Sequence, residues 1–390
     1  MVQTMKAPES ASSMKTGGPA ADPVAQPGGP AESNQQGCRE IERLEQIITQ
    51  DLAGRGLACL SSDNLVRRCR GNLARAARHL TDEGEAVAIA TGFYVAHAER
   101  PAIETDGPCG AIALAWMLAE LGCRVMIVTD PLGAPAITAG LAAGDVRGRS
   151  VSLEVFPYED EQPVSPARGS NEPEESGRSL EFAEEFFRSE FGGQLTHLIA
   201  VERAGPSHWK HSQKGWTAAE LSRFSELCPV EHHNQVHNYL GRIITPYTAK
   251  VHLLFEFVRE NGLPVRTVGI GDGGNEIGMG SVPWPVLQAN IRGGAGARIA
   301  CRVPTDWTIA CGVSNWGADA LGAAVAGLRG RADLLNKWSD ARERSVLDAL
   351  VEHGAVDGIT GRPEPSVDGM PLEQHLAIWG QMRSSSWRSD

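Results

Sequence analysis

The segment Ala86-Val-Ala-Ile-Ala-Thr-Gly-Phe-Tyr94 decides the fold, because this short apolar run is followed by a helical pattern over Gly110–Leu121. An apolar run without polar alternation is typical of a strand that is covered on both faces. Arg124-Val-Met-Ile-Val-Thr-Asp130 repeats the pattern after that helix. A strand, a helix and a second strand of this kind predict parallel pairing through a helical crossover.

The same alternation continues as far as residue 328. Further strands are predicted at 152–156, 197–202, 266–270 and 307–313, and further helices at 135–143, 180–191, 247–261 and 316–328. We therefore predict an α/β fold with a mostly parallel sheet and helices on both faces. In such a sheet the ligand site lies at the carboxyl ends of the strands.

The composition changes twice along the chain. Residues 1–37 lack aromatic residues and are rich in Pro, Gly, Ala and Ser, so this N-terminal segment is predicted to be disordered. Residues 38–84 show helical spacing and are predicted to form an accessory helical segment outside the main sheet. Residues 85–390 are predicted to form the α/β domain, with the acidic residues 158–179 as an exposed insertion.

The overall charge excludes some functions. Asp+Glu number 48 and Lys+Arg 36, which gives a formal charge of −12 over 390 residues and argues against a general nucleic-acid binder. No apolar run is long enough for a membrane span. The eight scattered cysteines indicate reduced thiols, and the N-terminus shows neither a secretory signal nor an Arg-rich transit peptide. A cytoplasmic location is expected, with the mitochondrial matrix as the alternative in a eukaryote.

Carboxylates follow several of the predicted strands or begin the next helix. Because the ends of parallel strands meet at one edge, these side chains are expected to converge. So many carboxylates together would need a metal, protonation or cationic substrate groups. The alternative is that each one only caps the helix that follows it. The residues concerned are Asp106, Asp130, Glu202, Asp272 and Glu276.

The densest glycine cluster does not indicate a nucleotide cofactor. Gly269, Gly271 and Gly274 match the dinucleotide pattern, but Gly269 lies within an apolar strand and no acidic residue follows at the ribose position. A turn whose amides approach a small anionic ligand remains, beside Asp272, Asn275 and Glu276. Close packing between a strand and a helix is the alternative.

Two further groups suggest chemistry but lack a specific signature. Cys109 lies at a predicted helix N-terminus, where a thiol becomes more acidic, but no cysteine-hydrolase signature follows. Several histidines in the irregular segment 205–238 have zinc-ligand spacing, although histidines in a solvated loop more often bind nothing. These histidines are His208, His211, His232, His233 and His237.

Five motifs in one order resemble the D-glutamate cyclase family. They are Glu104-Thr-Asp-Gly-Pro-Cys-Gly-Ala111, Val128-Thr-Asp130, Val201-Glu-Arg-Ala-Gly-Pro206, Gly269-Ile-Gly-Asp-Gly-Gly-Asn-Glu-Ile-Gly-Met-Gly280 and Ala310-Cys-Gly-Val-Ser-Asn-Trp-Gly317. The resemblance covers about residues 85–328 and extends more weakly toward residue 379. It implies a lyase that closes D-glutamate to 5-oxo-D-proline with loss of water, with a divalent metal such as manganese or magnesium.

The chain departs from the family pattern at three places. Cys109 replaces a proline, which argues against a catalytic thiol. Leu240 and Ile243 stand where the family has an arginine and an aspartate, and Arg242 and His237 are candidates to compensate.

The C-terminal stretch from Asp357 either returns to the site or only attaches the end of the chain to the core.

The expected site residues follow from the motifs and from the chemistry of cyclisation. A carboxylate with a raised pKa would deprotonate the α-ammonium, and an arginine would hold the α-carboxylate. The expected catalytic residues are Asp272, Glu276, Asn275 and Glu202. The expected substrate-binding residues are Thr105, Asp106, Gly107, Arg203, Asn238, Gly273, Gly274, Ser314 and Asn315. The expected metal ligands are Asp106, Asp130, Asp272 and Glu276.

Two other functions stay open at this stage. Acidic strand ends also suit a metal-dependent phosphohydrolase. A non-catalytic relative that binds a small molecule is the third reading, since a site can lose its chemistry and retain its turns. The partner expected in each case is a small molecule, an amino acid for the cyclase, and the chain is a candidate homo-oligomer.

Overall fold

The computed structural model describes residues 30–52, 54–60, 62–146, 150–159 and 177–387. The predicted disorder of residues 1–29 and most of the predicted insertion, residues 160–176, therefore lie outside the described residues. The helix that contains residues 38–48 begins at Pro30, within the segment that composition assigned to disorder.

All six predicted strands are confirmed, and together they form one parallel sheet in the order β3-β2-β1-β4-β5-β6. Their alternate side chains enter two different layers, since Val87 and Ile89 contribute to one apolar core while Ala88 and Ala90 contribute to the other. A short antiparallel hairpin, β7 and β8, follows near the C-terminus. The strands are β1 Ala86–Thr91, β2 Arg124–Thr129, β3 Val151–Val155, β4 His197–Val201, β5 Arg266–Gly271, β6 Trp307–Ala310, β7 Ser366–Val367 and β8 Met370–Pro371.

Helices cover both faces of the sheet, as predicted. The helices are α1 Pro30–Ile48, α2 Leu65–Cys69, α3 Asn72–Glu83, α4 Pro108–Glu120, α5 Ala134–Ala143, α6 Arg178–Arg188, α7 Ala218–Leu227, α8 His252–Glu260, α9 Trp284–Asn290, α10 Gly296–Ile299, α11 Ser314–Leu328, α12 Asp333–Lys337, α13 Asp340–Glu352 and α14 Leu372–Arg383. None of the helices among these described residues combines the length and the apolar character that a membrane span requires.

Helices α4 and α11 form the centre of one layer. Eleven residues of α4 and thirteen of α11 are buried. The two helices pack closely because small residues lie between them: a Cβ on Gly110 would come within 2.6 Å of the Asn315 Cα, and one on Gly322 within 2.6 Å of the Met117 sulfur. Helices α1 and α3 pack on α11 in the same core, which places residues 38–48 and 72–83 within this layer.

The strand order changes direction at β1. Strand β2 pairs with β1 on one side and β4 pairs with it on the other. The loops that leave the carboxyl ends of β1 and β4 therefore diverge and leave a crevice, which is where open α/β sheets bind ligands.

Candidate active site

A cavity of about 270 Å³ opens at this crevice. Phe93 follows β1 and Glu202 follows β4, and both line the cavity. The remaining walls come from distant parts of the chain. Those lining residues are Arg55, Tyr94, Val95, Ala96, His97, Glu104, Asn238, Tyr239, Leu240, Asn275, Gly358 and Ile359.

Arg55 lines the cavity and pairs with Asp272 and Asp368, which do not themselves line it; these three side chains are called the floor below. Its guanidinium lies 2.7 Å from an oxygen of Asp272 and 2.7 Å from an oxygen of Asp368, and all three side chains are almost completely buried. The Tyr239 ring lies against the guanidinium, 5.5 Å from ring centre to Arg55 Cζ. Burial alone would lower the pKa of Arg55, but attraction by Asp272 and Asp368 raises this pKa well above its usual value. Arg55 is therefore a permanent cation of the site.

A tight turn between α1 and α2 places Arg55. The Asp51 carboxylate accepts the backbone N–H groups of Arg55, Gly56 and Leu57 at 2.8, 2.9 and 3.2 Å. Gly56 has φ +109°, and a Cβ there would lie 2.0 Å from the Asn290 carbonyl oxygen. Only glycine fits this conformation and this contact.

Asp368 comes from the tip of the β7–β8 hairpin, where it precedes Gly369. The loop before it is organised by Asp357, whose carboxylate accepts from the N–H groups of Ile359, Thr360 and Gly369 and from the Ser366 hydroxyl. The C-terminal stretch from Asp357 therefore both returns to the site and fixes the tail.

Asp106 and Asn315 cap each other's helices. The Asp106 carboxylate accepts from the N–H groups of Ser314 and Asn315 at 2.9 and 2.8 Å, at the start of α11. The Asn315 side-chain oxygen accepts from Gly107 and Gly110 at 2.8 and 2.7 Å, at the start of α4. Two backbone amides at the start of α4 are therefore already bonded to Asn315.

The glycine-rich turn after β5 is likewise occupied by the protein itself. Gly273 and Gly274 donate their N–H groups to the two oxygens of Glu276, at 2.7 and 2.8 Å. A Cβ on Gly269 would lie 2.4 Å from the Ile277 carbonyl oxygen, so this glycine serves close backbone packing. Glu276 therefore stabilises the turn that contains Asp272, the residue that pairs with Arg55.

Glu202 and Glu104 are the two carboxyl groups that line the cavity. Glu202 has φ +43°, a conformation that costs energy in any non-glycine residue, and it accepts a hydrogen bond of 2.5 Å from the Ser314 hydroxyl. Burial raises the pKa of Glu202 well above its usual range, and repulsion from Glu276 and Glu104 adds to the rise. Burial and the nearby Asp368 and Asp106 do the same for Glu104.

The other carboxyl groups of this cluster are shifted in the same direction. Burial raises the pKa of Asp106 to about 7, with repulsion from Asp368 as the next cause. Burial also raises the pKa of Asp272 well above its usual range, against the attraction of Arg55. The pKa of Glu276 is raised by burial although its backbone hydrogen bonds oppose the shift. Carboxyls crowded in this way titrate together and hold shared protons.

Two groups of carboxylates have the spacing of cation ligands, since one oxygen from each member of a group lies within 4.8 Å of the corresponding oxygens of the others. One contains Asp106, Asp272 and Asp368, and the other contains Glu202, Asp272 and Glu276. The Asp272 oxygen that does not face Arg55 is buried without a hydrogen-bond partner among the described residues, and so is the second oxygen of Asp368, whose other oxygen is paired with Arg55. Such oxygens suit a hard divalent cation, which prefers carboxylate ligands.

Asp130 belongs to neither group. It forms an ion pair of 2.5 Å with Arg203, whose side chain also donates to the carbonyl oxygens of Gly92 and Ala249. Arg203 is fully buried beneath the ends of β1 and β4. This ion pair connects loops at the crevice, but neither Asp130 nor Arg203 lines the cavity.

The remaining predicted site residues divide between wall and scaffold. Asn238 and Asn275 line the cavity, and the Asn275 side chain donates to the His237 carbonyl oxygen at 2.8 Å. Thr105 donates its hydroxyl to the Ser366 carbonyl oxygen at 2.7 Å and supports the hairpin. Cys109 is buried against Glu343, and burial raises the pKa of this thiol well above its usual value.

Several histidines of segment 205–238 contact one another or neighbouring polar groups. His232 Nδ1 lies 3.0 Å from His237 Nε2. Burial lowers the pKa of His237 to about 4. The His208 ring meets the Ser212 hydroxyl at 3.0 Å. None of the described histidines in this segment belongs to a group with metal-ligand spacing.

Comparison with known proteins assigns the chain to a family. The model of the family "D-glutamate cyclase-like, C-terminal" matches residues 44–215 and 226–383, a range that includes all six strands, Arg55 and Asp368. The chain belongs to the D-glutamate cyclase-like C-terminal domain family. The resemblance predicted from the five motifs is therefore confirmed.

A curated human relative supports the assignment. The chain is 27% identical over 362 residues to a Homo sapiens protein described as "D-glutamate cyclase, mitochondrial", and the match covers 86% of this chain. The chain spans 50% of the length of that relative.

Sequence reasoning missed four contributors to the site, one of which is Glu104, which lies in a quoted motif but was not predicted as a site residue. Arg55 belongs to none of the sequence motifs, and along the sequence it lies far from the end of any strand. Tyr239 lies in an irregular segment. Asp368 had a usable signal, because Asp-Gly between short extended segments is typical of a hairpin turn.

Proposed function

We propose that this chain converts D-glutamate to 5-oxo-D-proline and water in the cavity between β1 and β4. The observation that carries the proposal is the floor formed by Arg55, Asp272 and Asp368, which lies within the family match and near the two carboxyl groups of the cavity lining, Glu104 and Glu202. The buried cluster offers both protonated and ionised carboxyls, as the reaction requires.

The proposal includes a divalent cation, Mn²⁺ or Mg²⁺, held by Asp106, Asp272 and Asp368. The support is the partnerless buried oxygens of Asp272 and Asp368, which would otherwise remain costly. When bound, such a cation would polarise the γ-carboxyl group of the substrate. Arg55 and the cation together would offset the negative charge of the floor.

The chain's own residues bind the substrate and move its protons. Arg55 attracts the α-carboxylate, and Asn238 and Asn275 offer hydrogen bonds from the wall. Glu104 and Glu202 repel each other and share protons, so Glu202 in its ionised form accepts a proton from the α-ammonium and Glu104 in its neutral form donates a proton to the departing oxygen. This assignment moves the base from Asp272 or Glu276 to Glu202, because Glu202 lines the cavity and Glu276 is bound to its own turn.

The proposal is tested by incubating purified protein with D-glutamate, with and without Mn²⁺, followed by chiral detection of 5-oxoproline. We expect 5-oxo-D-proline, formed faster with Mn²⁺. A parallel incubation with a phosphate ester tests the phosphohydrolase alternative. Binding of D-glutamate without product would indicate a non-catalytic relative, and it would overturn the proposal.

A further inference from the structure

Ser314 contacts one of the two carboxyl groups of the cavity lining. Its hydroxyl donates to Glu202 Oε2 at 2.5 Å, a distance typical of a hydroxyl that donates to a carboxylate. The sequence motifs predict Ser314 as a substrate-binding residue, but the structure buries its side chain completely and leaves it outside the cavity lining. The Ser314 hydroxyl therefore has its partner within the protein.

The backbone of Ser314 is fixed at the start of α11. Its N–H group donates to Asp106 Oδ2 at 2.9 Å, and the N–H group of Asn315 donates to Oδ1 of the same carboxylate at 2.8 Å. A serine hydroxyl has one hydrogen to donate, and Glu202 is the acceptor of this hydrogen among the described residues. The folded chain therefore places the hydroxyl before any ligand binds.

The carboxyl group of Glu202 depends on this contact for its orientation. A Cβ on Gly107 would lie 2.6 Å from the Glu202 Cβ, so the first part of the side chain is closely packed. The terminal torsion of a glutamate has broad minima, and packing at Cβ does not set it. Ser314 holds Oε2, whereas Oε1 accepts no hydrogen bond from the described residues. One oxygen is therefore fixed, and the other stays available to the cavity that Glu202 lines.

We propose that Ser314 is a positioning residue for ring closure, whose hydroxyl fixes Glu202 Oε2 and so turns Oε1 toward the α-ammonium group of D-glutamate. This inference rests on the proposed function, in which Glu202 accepts a proton from that group. Two protons pass in all from the α-nitrogen to the oxygen that leaves as water. Glu202 Oε1 accepts the first, and the electron pair that this frees forms the bond to the γ-carbon as the bond from that carbon to the departing oxygen breaks. Ser314 neither gains nor loses a proton.

The two roles of Ser314, substrate binding and positioning, give different kinetics in Ser314→Ala. Loss of a substrate-binding hydroxyl would raise KM, whereas loss of a positioning hydroxyl lowers kcat. With D-glutamate and Mn²⁺ we expect kcat to fall roughly tenfold or more and KM to stay within about twofold, because a small misplacement of a reacting group slows the reaction strongly. Ser222→Ala is the matched control, since the exposed Ser222 donates to Glu226 within α7 at 3.3 Å and should leave both constants unchanged.

A second background separates positioning from a general effect on folding. In Glu202→Gln the side chain cannot accept a proton, so its orientation no longer affects the rate. Ser314→Ala should therefore change kcat less than about threefold when it is added to Glu202→Gln. Ser314→Cys retains the shape of the side chain with a weaker donor, so it should show the same loss of kcat, and it replaces the alanine variant if that protein does not fold.

The results separate this inference from the proposed function. An unchanged kcat in Ser314→Ala, a rise in KM alone, or the same loss of kcat in both backgrounds would overturn the inference while the wild type still forms 5-oxo-D-proline. Failure of the wild type to form 5-oxo-D-proline would overturn the proposed function, and the inference with it.

Discussion

At the scale of single residues, the site depends on the balance between Arg55 and the carboxyls around it. One guanidinium serves Asp272 and Asp368 directly, while burial keeps the pKa of each of Glu104, Glu202 and Asp272 raised. A buried cluster of this composition is stable only when part of it is protonated or a further cation is present. That requirement connects the electrostatics of the site to its proposed chemistry.

Glu202→Gln tests the assignment of the base. Glutamine has nearly the same shape and can still accept from Ser314, but it cannot accept a proton. We expect kcat for cyclisation to fall about 10²–10⁴-fold. The melting temperature should stay unchanged or rise, because the substitution removes repulsion from Glu276 and Glu104.

The matched control is Glu226→Gln, an exposed glutamate of α7 that forms a weak surface pair of 3.7 Å with Arg223. This variant should retain full activity and stability. A Glu202→Gln enzyme with kcat within twofold of the wild type would exclude Glu202 as the base and direct attention to Glu104.

Sequence reasoning could find the site residues that follow strands and could not find those that arrive from elsewhere. Glu202 and Asp272 were predicted because they directly follow apolar runs. Arg55 and Asp368 come together only when helices α1 and α2 and the C-terminal hairpin take their places in the complete fold. The Asp-Gly pattern predicts a turn at Asp368, but no local pattern predicts where that turn lies. The partners of Asp130 and Glu276 also depend on three-dimensional contacts, with Arg203 and with the turn amides.

At the scale of elements, the reciprocal caps of α4 and α11 hold the site together. Asn315→Ala would leave the N–H group of Gly110 without an acceptor in a buried region, while the N–H group of Gly107 would keep only the Asp106 carboxylate. A buried group without its partner costs about 1–3 kcal/mol, so we expect the free energy of unfolding to fall by about 2 kcal/mol. Denaturant titration followed by circular dichroism measures this change.

Asn261→Ala is the control, since this exposed asparagine at the end of α8 donates only to the Phe257 carbonyl oxygen. A change of less than about 0.5 kcal/mol is expected there. An Asn315→Ala protein as stable as the wild type would show that the caps do not stabilise the α4–α11 pair.

The elements themselves were largely predictable, because continuous apolar runs and helical spacing reflect burial on a layered sheet. The six strands were predicted within a few residues for this reason. The helices before β1 were predicted as an accessory segment, whereas α1 and α3 pack on α11 in the main core. Local periodicity identifies an apolar face but does not identify the surface that this face contacts.

At the scale of the whole molecule, the carboxyl cluster makes stability depend on pH and on divalent cations. The pKa of Asp106 is 3.8 in a model compound and about 7 in the folded protein, so the folded state binds this proton more tightly. Its stabilising contribution is complete below about pH 4 and is lost as the pH rises to about 7. Mn²⁺ competes with protons for these oxygens and should stabilise the protein mainly above pH 7.

We therefore expect saturating Mn²⁺ to raise the melting temperature by about 2–5 °C at pH 8 and by much less at pH 5. Differential scanning fluorimetry at both pH values measures this difference. Asp368→Asn should abolish the shift at pH 8, while the exposed control Asp333→Asn should retain it. An equal shift at both pH values, or a full shift in Asp368→Asn, would show that the cation binds elsewhere.

The site draws on almost the whole described chain, from Arg55 before the sheet to Asp368 after it. The general location of the site at the carboxyl ends of the strands followed from the alternation of strands and helices, which predicts a mostly parallel sheet. The chemistry of the cavity did not follow, because Arg55, Asp368 and the lining residues come from loops whose positions depend on the complete fold.

The most direct test of the account is the rate of 5-oxo-D-proline formation by Asp272→Asn, measured beside the wild type and Asp333→Asn with D-glutamate and Mn²⁺. Asp272 contacts Arg55 and belongs to both carboxylate groups, so its loss should weaken the cation site and the floor together. We predict a rate at least 100-fold below that of the wild type, with Asp333→Asn unaffected. Full activity in Asp272→Asn would contradict the proposed site.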